Sequence, residues 1–204
     1  VSTGFRISAN SAKVVYRSDE RVNDVIELWS VPIAGGTPTR LNGELVDPGG
    51  DVVDYAISPD SARVVYRADQ NVDALNELWS VPIGGGIATK LNRTLANGGD
   101  VQNFRISDNS NWVVYGADQD SDTVDELLAV PIAGGTVQDV SGPLVNQGDV
   151  LLKVVQTTAW GISSNSLDVV YMADEDVNDE VELYASSLGG PPSAPTGVVA
   201  VAGN

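Results

Sequence analysis

Apolar residues fall in short runs along this chain, either alternating with polar residues or as pairs of valines, and never at helical spacing. Phe5-Arg6-Ile7-Ser8, Lys13-Val14-Val15-Tyr16-Arg17 and Glu27-Leu28-Trp29-Ser30-Val31 are β-branched and aromatic, and Gly, Pro, Asn and Asp bound them. These runs recur. Ile7-Ser8-Ala9-Asn10-Ser11-Ala12-Lys13-Val14-Val15-Tyr16 returns as Ile57 to Tyr66, Ile106 to Tyr115 and Ile162 to Tyr171, in steps of 50, 49 and 56 residues. Glu-Leu-Trp-Ser-Val-Pro-Ile at 27–33 is identical at 77–83, weaker at 126–132, and fades to Glu182-Leu183-Tyr184-Ala185. A Gly-Gly pair follows each time, at 35–36, 85–86, 134–135 and 189–190.

Each unit predicts four strands. The first ends in Phe5 to Ser8, and the turn Ala9-Asn10-Ser11 leads to a second around Lys13 to Arg17. The third runs from about Glu27 to Val31, and Gly-Gly turns the chain into a fourth over Thr37 to Leu41. Pro38 and Arg40 suit an exposed edge, which makes the fourth strand the outer one. Four-stranded units at this period predict an all-β fold, a β-propeller of four tandem four-stranded blades. The expected bounds are 1–49, 50–98, 99–149 and 150–190, with a Pro/Gly-rich tail at 191–204.

The pattern Ile-Ser-Pro-Asp-Ser-x-x-Val-Val-Tyr, an acidic turn, Glu-Leu-Trp and Gly-Gly resembles the TolB-type (WD40-like) β-propeller repeat, best over Ile57 to Leu91. The resemblance implies an extracytoplasmic interaction platform, or a module attached to an enzyme. TolB-type propellers usually have six blades or more, so four copies leave a closed four-blade ring, a pair of chains, or an arc of a longer protein. Val1 falls at the position of Val101 in the third repeat, so the chain starts on a repeat boundary, and either further sequence upstream or a mature terminus cut between blades is expected. The tail from Pro191 to Val201 resembles the linker and first strand of a fibronectin type III domain; the other reading makes Thr196 to Val201 the outer strand of blade 4. Packing on a neighbour would give head-to-tail assembly.

Charge sharpens the picture. The 11 Lys and Arg against 28 Asp and Glu give a net charge of −17, which argues against nucleic acid or an anionic membrane as partner. Histidine and cysteine are absent, which excludes disulfides, Cys/His zinc sites, Ser-His-Asp triads and Cys-His dyads. No run is long enough to insert in a membrane as a helix. Windows 19–27, 69–77, 118–126 and 174–182 hold 18 of the 28 acids, and each runs from Asp to Glu. Oxygen ligands at alternate positions of a tight loop suit a hard cation such as calcium. The candidate set is Asp19, Asn23, Val25 and Glu27; Asp69, Asn71, Asp73, Leu75 and Glu77; Asp118, Asp120, Asp122, Val124 and Glu126; Asp174, Asp176, Asn178, Glu180 and Glu182. Val25, Leu75, Val124 and Glu180 would contribute backbone carbonyls.

The spacing resembles the calcium hairpins of integrin-type propellers, except that their Gly is replaced by Asp24, Ala74, Thr123 or Asp179. In blade 1, Arg21 occupies a ligand position and would fill the site itself. The competing reading is a solvated loop of Asx turns. Trp29 and Trp79, with Leu128 and Tyr184 in the same place, are expected to pack between blades. Arg17 and Arg67 are expected to pair with loop acids. No pair of carboxylates stands out as hydrolytic machinery, so no enzyme is expected. The chain reads as an extracellular or cell-surface structural and adhesive protein, calcium-stabilised, that binds protein partners and copies of itself. The alternatives are a recognition module of a larger secreted enzyme or a periplasmic TolB-like scaffold.

Overall fold

The computed structural model describes residues 4–121, 123–142, 144, 148–152, 159–175, 180–189 and 196–197. It is all-β, with no helix among the described residues. Sixteen strands form four antiparallel four-stranded sheets, each contiguous in sequence. Blade 1 comprises β1 (Phe5–Ile7), β2 (Lys13–Ser18), β3 (Glu27–Pro32) and β4 (Thr39–Arg40). Blade 2 comprises β5 (Val52–Ile57), β6 (Arg63–Ala68), β7 (Glu77–Pro82) and β8 (Thr89–Lys90). Blade 3 comprises β9 (Val101–Ile106), β10 (Trp112–Ala117), β11 (Glu126–Pro131) and β12 (Gln138–Asp139). Blade 4 comprises β13 (Trp160–Ile162), β14 (Asp168–Ala173), β15 (Glu182–Ser187) and β16 (Thr196–Gly197).

The register repeats with the sequence. Tyr16 lies opposite Phe5 and Trp29, Tyr66 opposite Tyr55 and Trp79, Tyr115 opposite Phe104 and Leu128, and Tyr171 opposite Trp160 and Tyr184. The outer strands are two residues long, shorter than the repeat predicts, which suits an edge that must not recruit other chains. The tail's Thr196 and Gly197 pair with Ala185 and Tyr184, which makes these two residues the outer strand of blade 4. The Gly-Gly turns need glycine: Gly35 and Gly36 lie at φ +91° and +141°, and the equivalents in blades 2 and 3 repeat these angles.

A sheet buried on both faces needs neighbours, and three apolar clusters supply them. Val15, Leu28 and Leu41 on the back of blade 1 pack on Val64, Tyr66, Trp79 and Val81 on the front of blade 2. Val65, Leu78 and Leu91 meet Val113, Tyr115, Leu128 and Val130 in the same way. Val114, Leu127 and Val140 meet Trp160, Val169, Tyr171 and Tyr184, and here Tyr171 stacks on Tyr184 at 5.6 Å. Trp79, Leu128 and Tyr184 thus pack between blades, as their place in the repeat predicts, whereas Trp29, half-buried on the front of blade 1, belongs to none of the three clusters.

Candidate functional site

The acidic loops join the second strand of each blade to the third, and their first and last carboxylates work on the fold itself. Asp69 and Asp118 are buried, and accept hydrogen bonds from the backbone N–H of Asp51 and Asp100 at 2.6 Å. Asp174 accepts likewise from the N–H of Asp149. Each of those aspartates in turn reaches back one blade. The carboxylates of Asp51, Asp100 and Asp149 accept from the N–H of Ile26, Asn76 and Asp125 at 2.6, 2.6 and 2.8 Å. The N–H of Val52, Val101 and Val150 donates to the carbonyls of the same three residues. Two aspartates per junction therefore clip each acidic loop to the blade that follows it. Burial pushes the Asp51 carboxyl above the usual range and the Asp69 charge adds to this, while the Ile26 N–H opposes it. The clip aspartates were not singled out in the sequence, although Gly-Asp-Val at 50–52, 99–101 and 148–150 keeps the period.

Two of the closing glutamates, Glu27 and Glu77, pair with cations inside the protein. Glu27 has no exposed surface; its carboxylate takes a two-pronged contact from Arg21 (2.8 to 3.0 Å) and a further one from Arg40 at 3.0 Å. The guanidinium of Arg21 thus fills the blade 1 loop. Glu77 is paired with Lys90 and accepts from the Asn71 amide at 2.8 Å. Blade 3 replaces the basic outer-strand residue by Asp139. Its Glu126 accepts from the N–H groups of Gln119 and Asp120 at 2.9 and 3.0 Å, and burial pushes its carboxyl up. Arg93, from the end of blade 2, supplies the missing cation to Asp139 at 2.5 Å and Asp120 at 3.6 Å. Glu182 accepts from the Tyr184 hydroxyl at 2.5 Å.

The turn forms without glycine. Asp24, Ala74 and Thr123 lie at φ +63°, +60° and +71°, in the left-handed region, and the N–H groups of Val25, Leu75 and Val124 close the loops on Val22, Val72 and Ser121 at 3.2 Å. Asn23 donates to its neighbour Asp24, and the Asp73 carboxylate lies against the backbone of Gly49, where a Cβ would come within 2.5 Å of it. Asp19 is half-buried in blade 1, and Glu180 is exposed. Asp122, Asp176 and Asn178 lie outside the described residues. Among the described residues, no three carboxylates converge as a metal cage.

Other side chains the repeat singles out also serve the junctions. Arg17 donates to the carbonyls of Val52 (3.1 Å) and Val53, and Arg67 to those of Val101 (2.8 Å) and Gln102. Arg67 also pairs with Asp54 on β5 at 2.8 Å. Ser61, Ser110 and Ser166, each at positive φ in its hairpin, accept from the N–H of Asn10, Asp60 and Asn109 one blade back, at 3.0 to 3.1 Å. Asn92 is buried and accepts from the Leu78 N–H.

Among the described residues, the front of blade 1 and the back of blade 4 are more exposed than their counterparts. Phe5 is 69% exposed where Tyr55 is 6% and Trp160 is 5% exposed. Val170, on the back of blade 4, is 39% exposed where Val15, Val65 and Val114 are fully buried. Ser11 is exposed while its three counterparts are buried. The front of blade 1 forms an apolar hollow of about 660 Å³ lined by Phe5, Val14, Tyr16, Val31, Pro32 and Ile33.

No protein-family model matches the chain, and no curated protein sequence does. Solved structures match by shape. A putative TolB from Agrobacterium tumefaciens is similar at TM-score 0.56 and 17% identity, over 95% of this chain and 64% of that one. TolB from Acinetobacter baumannii is similar at TM-score 0.53 and 12% identity, over 92% and 41%. The β-propeller domain of the Trilobed protease from Pyrococcus furiosus, described as an open velcro topology, is similar at TM-score 0.56 and 9% identity, over 96% and 57%. The chain thus spans less than two thirds of each of these relatives. At such identities the likeness is one of fold: the chain has a β-propeller fold of four four-stranded blades, similar to the propellers of these structures.

Proposed function

We propose that this chain is a non-catalytic, extracytoplasmic scaffold of the periplasmic TolB kind, which holds protein partners on its surface. One observation carries the reading: the polar groups that the repeat places in its loops are engaged within the fold, the aspartates and turn serines between blades and the glutamates inside their own blade. The buried carboxylates bind backbone N–H groups or arginine and lysine, and the turn serines bind neighbouring turns. What remains for a partner is the outer surface of a chain with net charge −17, suited to a basic protein face. Binding of a purified peptidoglycan-associated lipoprotein, measured by surface plasmon resonance at low and high salt, tests this. Salt-sensitive saturable binding is expected; no binding at low salt counts against the periplasmic scaffold.

The second reading is a recognition module within a larger secreted enzyme. It is favoured by the likeness to the propeller domain of the Trilobed protease, and a catalytic domain encoded beside this one would establish it. Calcium we now assign chiefly to the fourth loop. The first three hold Arg21, Arg40, Lys90 and Arg93 as built-in counter-ions, whereas window 174–182 carries six acids and no Lys or Arg. Millimolar calcium, with magnesium as control, should raise the melting temperature through that loop; an unchanged melt would return it to a solvated hairpin and remove support for a calcium-stiffened cell-surface adhesin.

A further inference from the structure

We propose that Asn97 is a site of spontaneous covalent modification, where the chain converts its own asparagine to isoaspartate and loosens the junction of blades 2 and 3. This goes beyond the scaffold reading and stands on separate observations. The chemistry needs an asparagine followed by a small residue whose backbone nitrogen is free to react. The Gly98 nitrogen, its proton taken by hydroxide, attacks Asn97 Cγ; the new N–C bond closes a succinimide ring and ammonia leaves. Water then opens the ring. Opening at Cγ gives aspartate, and opening at the backbone carbonyl leaves the chain running through Cγ as isoaspartate. Nothing is oxidised or reduced, and water is the co-reactant.

Asn10, Asn42, Asn97, Asn109 and Asn165 precede Gly or Ser, and the fold occupies the reacting groups of all but Asn97. Asn10, Asn109 and Asn165 each accept from the N–H two residues on at 3.0 Å, and the N–H of the serine after each donates to the carbonyl of Ser8, Ser107 or Ser163. Asn42 is buried. Its Oδ1 accepts from the Leu28 N–H and its Nδ2 donates to the Gly43 carbonyl, both at 2.8 Å, while the Gly43 N–H donates to Gln70 at 2.9 Å. Asn97 and Gly98 are exposed, and among the described residues neither the Asn97 side chain nor the Gly98 N–H makes a hydrogen bond. The pair forms the corner of a tight turn, with Gly98 at φ +94°, closed by the Gly99 N–H on the Ala96 carbonyl at 3.0 Å. That turn is fitted closely to blade 3. The Ala96 N–H donates to the Gln119 carbonyl at 2.7 Å, and a Cβ at Gly99 would collide with the Asp118 carbonyl oxygen. Isoaspartate inserts a further backbone carbon into the turn and adds a carboxylate just ahead of Asp100, whose N–H clips onto Asp118.

Peptide mapping by mass spectrometry tests the proposal, on the full chain aged at mildly alkaline pH with and without urea. In the native chain Asn97 should react at least roughly 100-fold faster than Asn42, whose reaction waits for local opening. In urea the two Asn-Gly sites should react alike, and the native rate at Asn97 should rise with pH because the nitrogen must lose its proton. Native rates that are equal at Asn97 and Asn42, or reaction at Asn10, Asn109 or Asn165 ahead of Asn97, would overturn the site. Thermal melts of the same samples test the consequence. Aged wild-type chain should melt below fresh chain, whereas Asn97→Ala aged in parallel should keep its melting temperature. Wild-type chain fully modified at Asn97 that melts as before, or Asn97→Ala that loses stability equally on ageing, would overturn the loosening.

Discussion

Tyr16 and Tyr66 hold the same place in consecutive repeats and lead different lives. Tyr66 is fully buried at the junction of blades 1 and 2, and its hydroxyl donates to Gln70. Tyr16 stands half-exposed on the open front of blade 1, donating to Glu20. The sequences around them are nearly identical, so the difference comes from the neighbour and not from the repeat. A blade cannot bury two faces by itself. Its stability is the sum of its own sheet and of the junctions it makes, as in other repeat architectures.

The largest effects should therefore come from substitutions inside a junction. Leu78→Ala, between blades 2 and 3, should cost about 2–5 kcal/mol in urea unfolding, because it opens a cavity in a closed interface. Phe5→Ala should stay within about 0.5 kcal/mol; equal costs would erase the distinction between inner and end faces. Next come the internal ion pairs. Lys90→Met leaves Glu77 buried beside Asn71 alone and should cost about 3 kcal/mol, near the lower end for breaking a buried pair. Arg93→Met releases the more exposed Asp120 and Asp139 and should cost about 1 kcal/mol or less.

The clip aspartates should show in pH as well as in stability. Asp100→Ala strips the Asn76 N–H of its acceptor and should cost about 1–3 kcal/mol. Burial holds the Asp51 carboxyl above its ordinary value of 3.8. Its contribution is then fully present below 3.8 and is lost as pH rises through the folded value. Asp51→Asn should remove that part of the acid-range pH dependence. Asp60 behaves in the opposite sense: burial alone would raise it, but the Ser58 hydroxyl and the Ala62 N–H hold it below 3.8. Its contribution is present above 3.8 and is lost as pH falls through the folded value. Thr123→Gly should act in the opposite direction and stabilise by about 1 kcal/mol, since a β-branched residue sits at φ +71°.

Strands, hairpins, blade order and the tryptophan packing were legible in the sequence, because each is local and each recurs at the period. The clips were not. Asp51 between Gly50 and Val52 reads as turn chemistry, and its partner Ile26 lies 25 residues upstream in another blade. Arg93 was equally silent, since it serves Asp139, 46 residues away. The acids at 19–27 and 69–77 read as cation ligands because one-dimensional spacing does not show which arginine or lysine folds onto them. The left-handed turns at Ala74 and Thr123 run against residue preference, and the loop closures at Leu75 and Val124 hold them there.

The outward faces of blades 1 and 4 are more exposed than the inner faces that blades 2 and 3 bury against their neighbours. Native-state hydrogen exchange of the chain should read this difference strand by strand. β2 and β14 should exchange faster than β6 and β10; equal protection of all four strands would show that the end faces are as well held as the inner junctions.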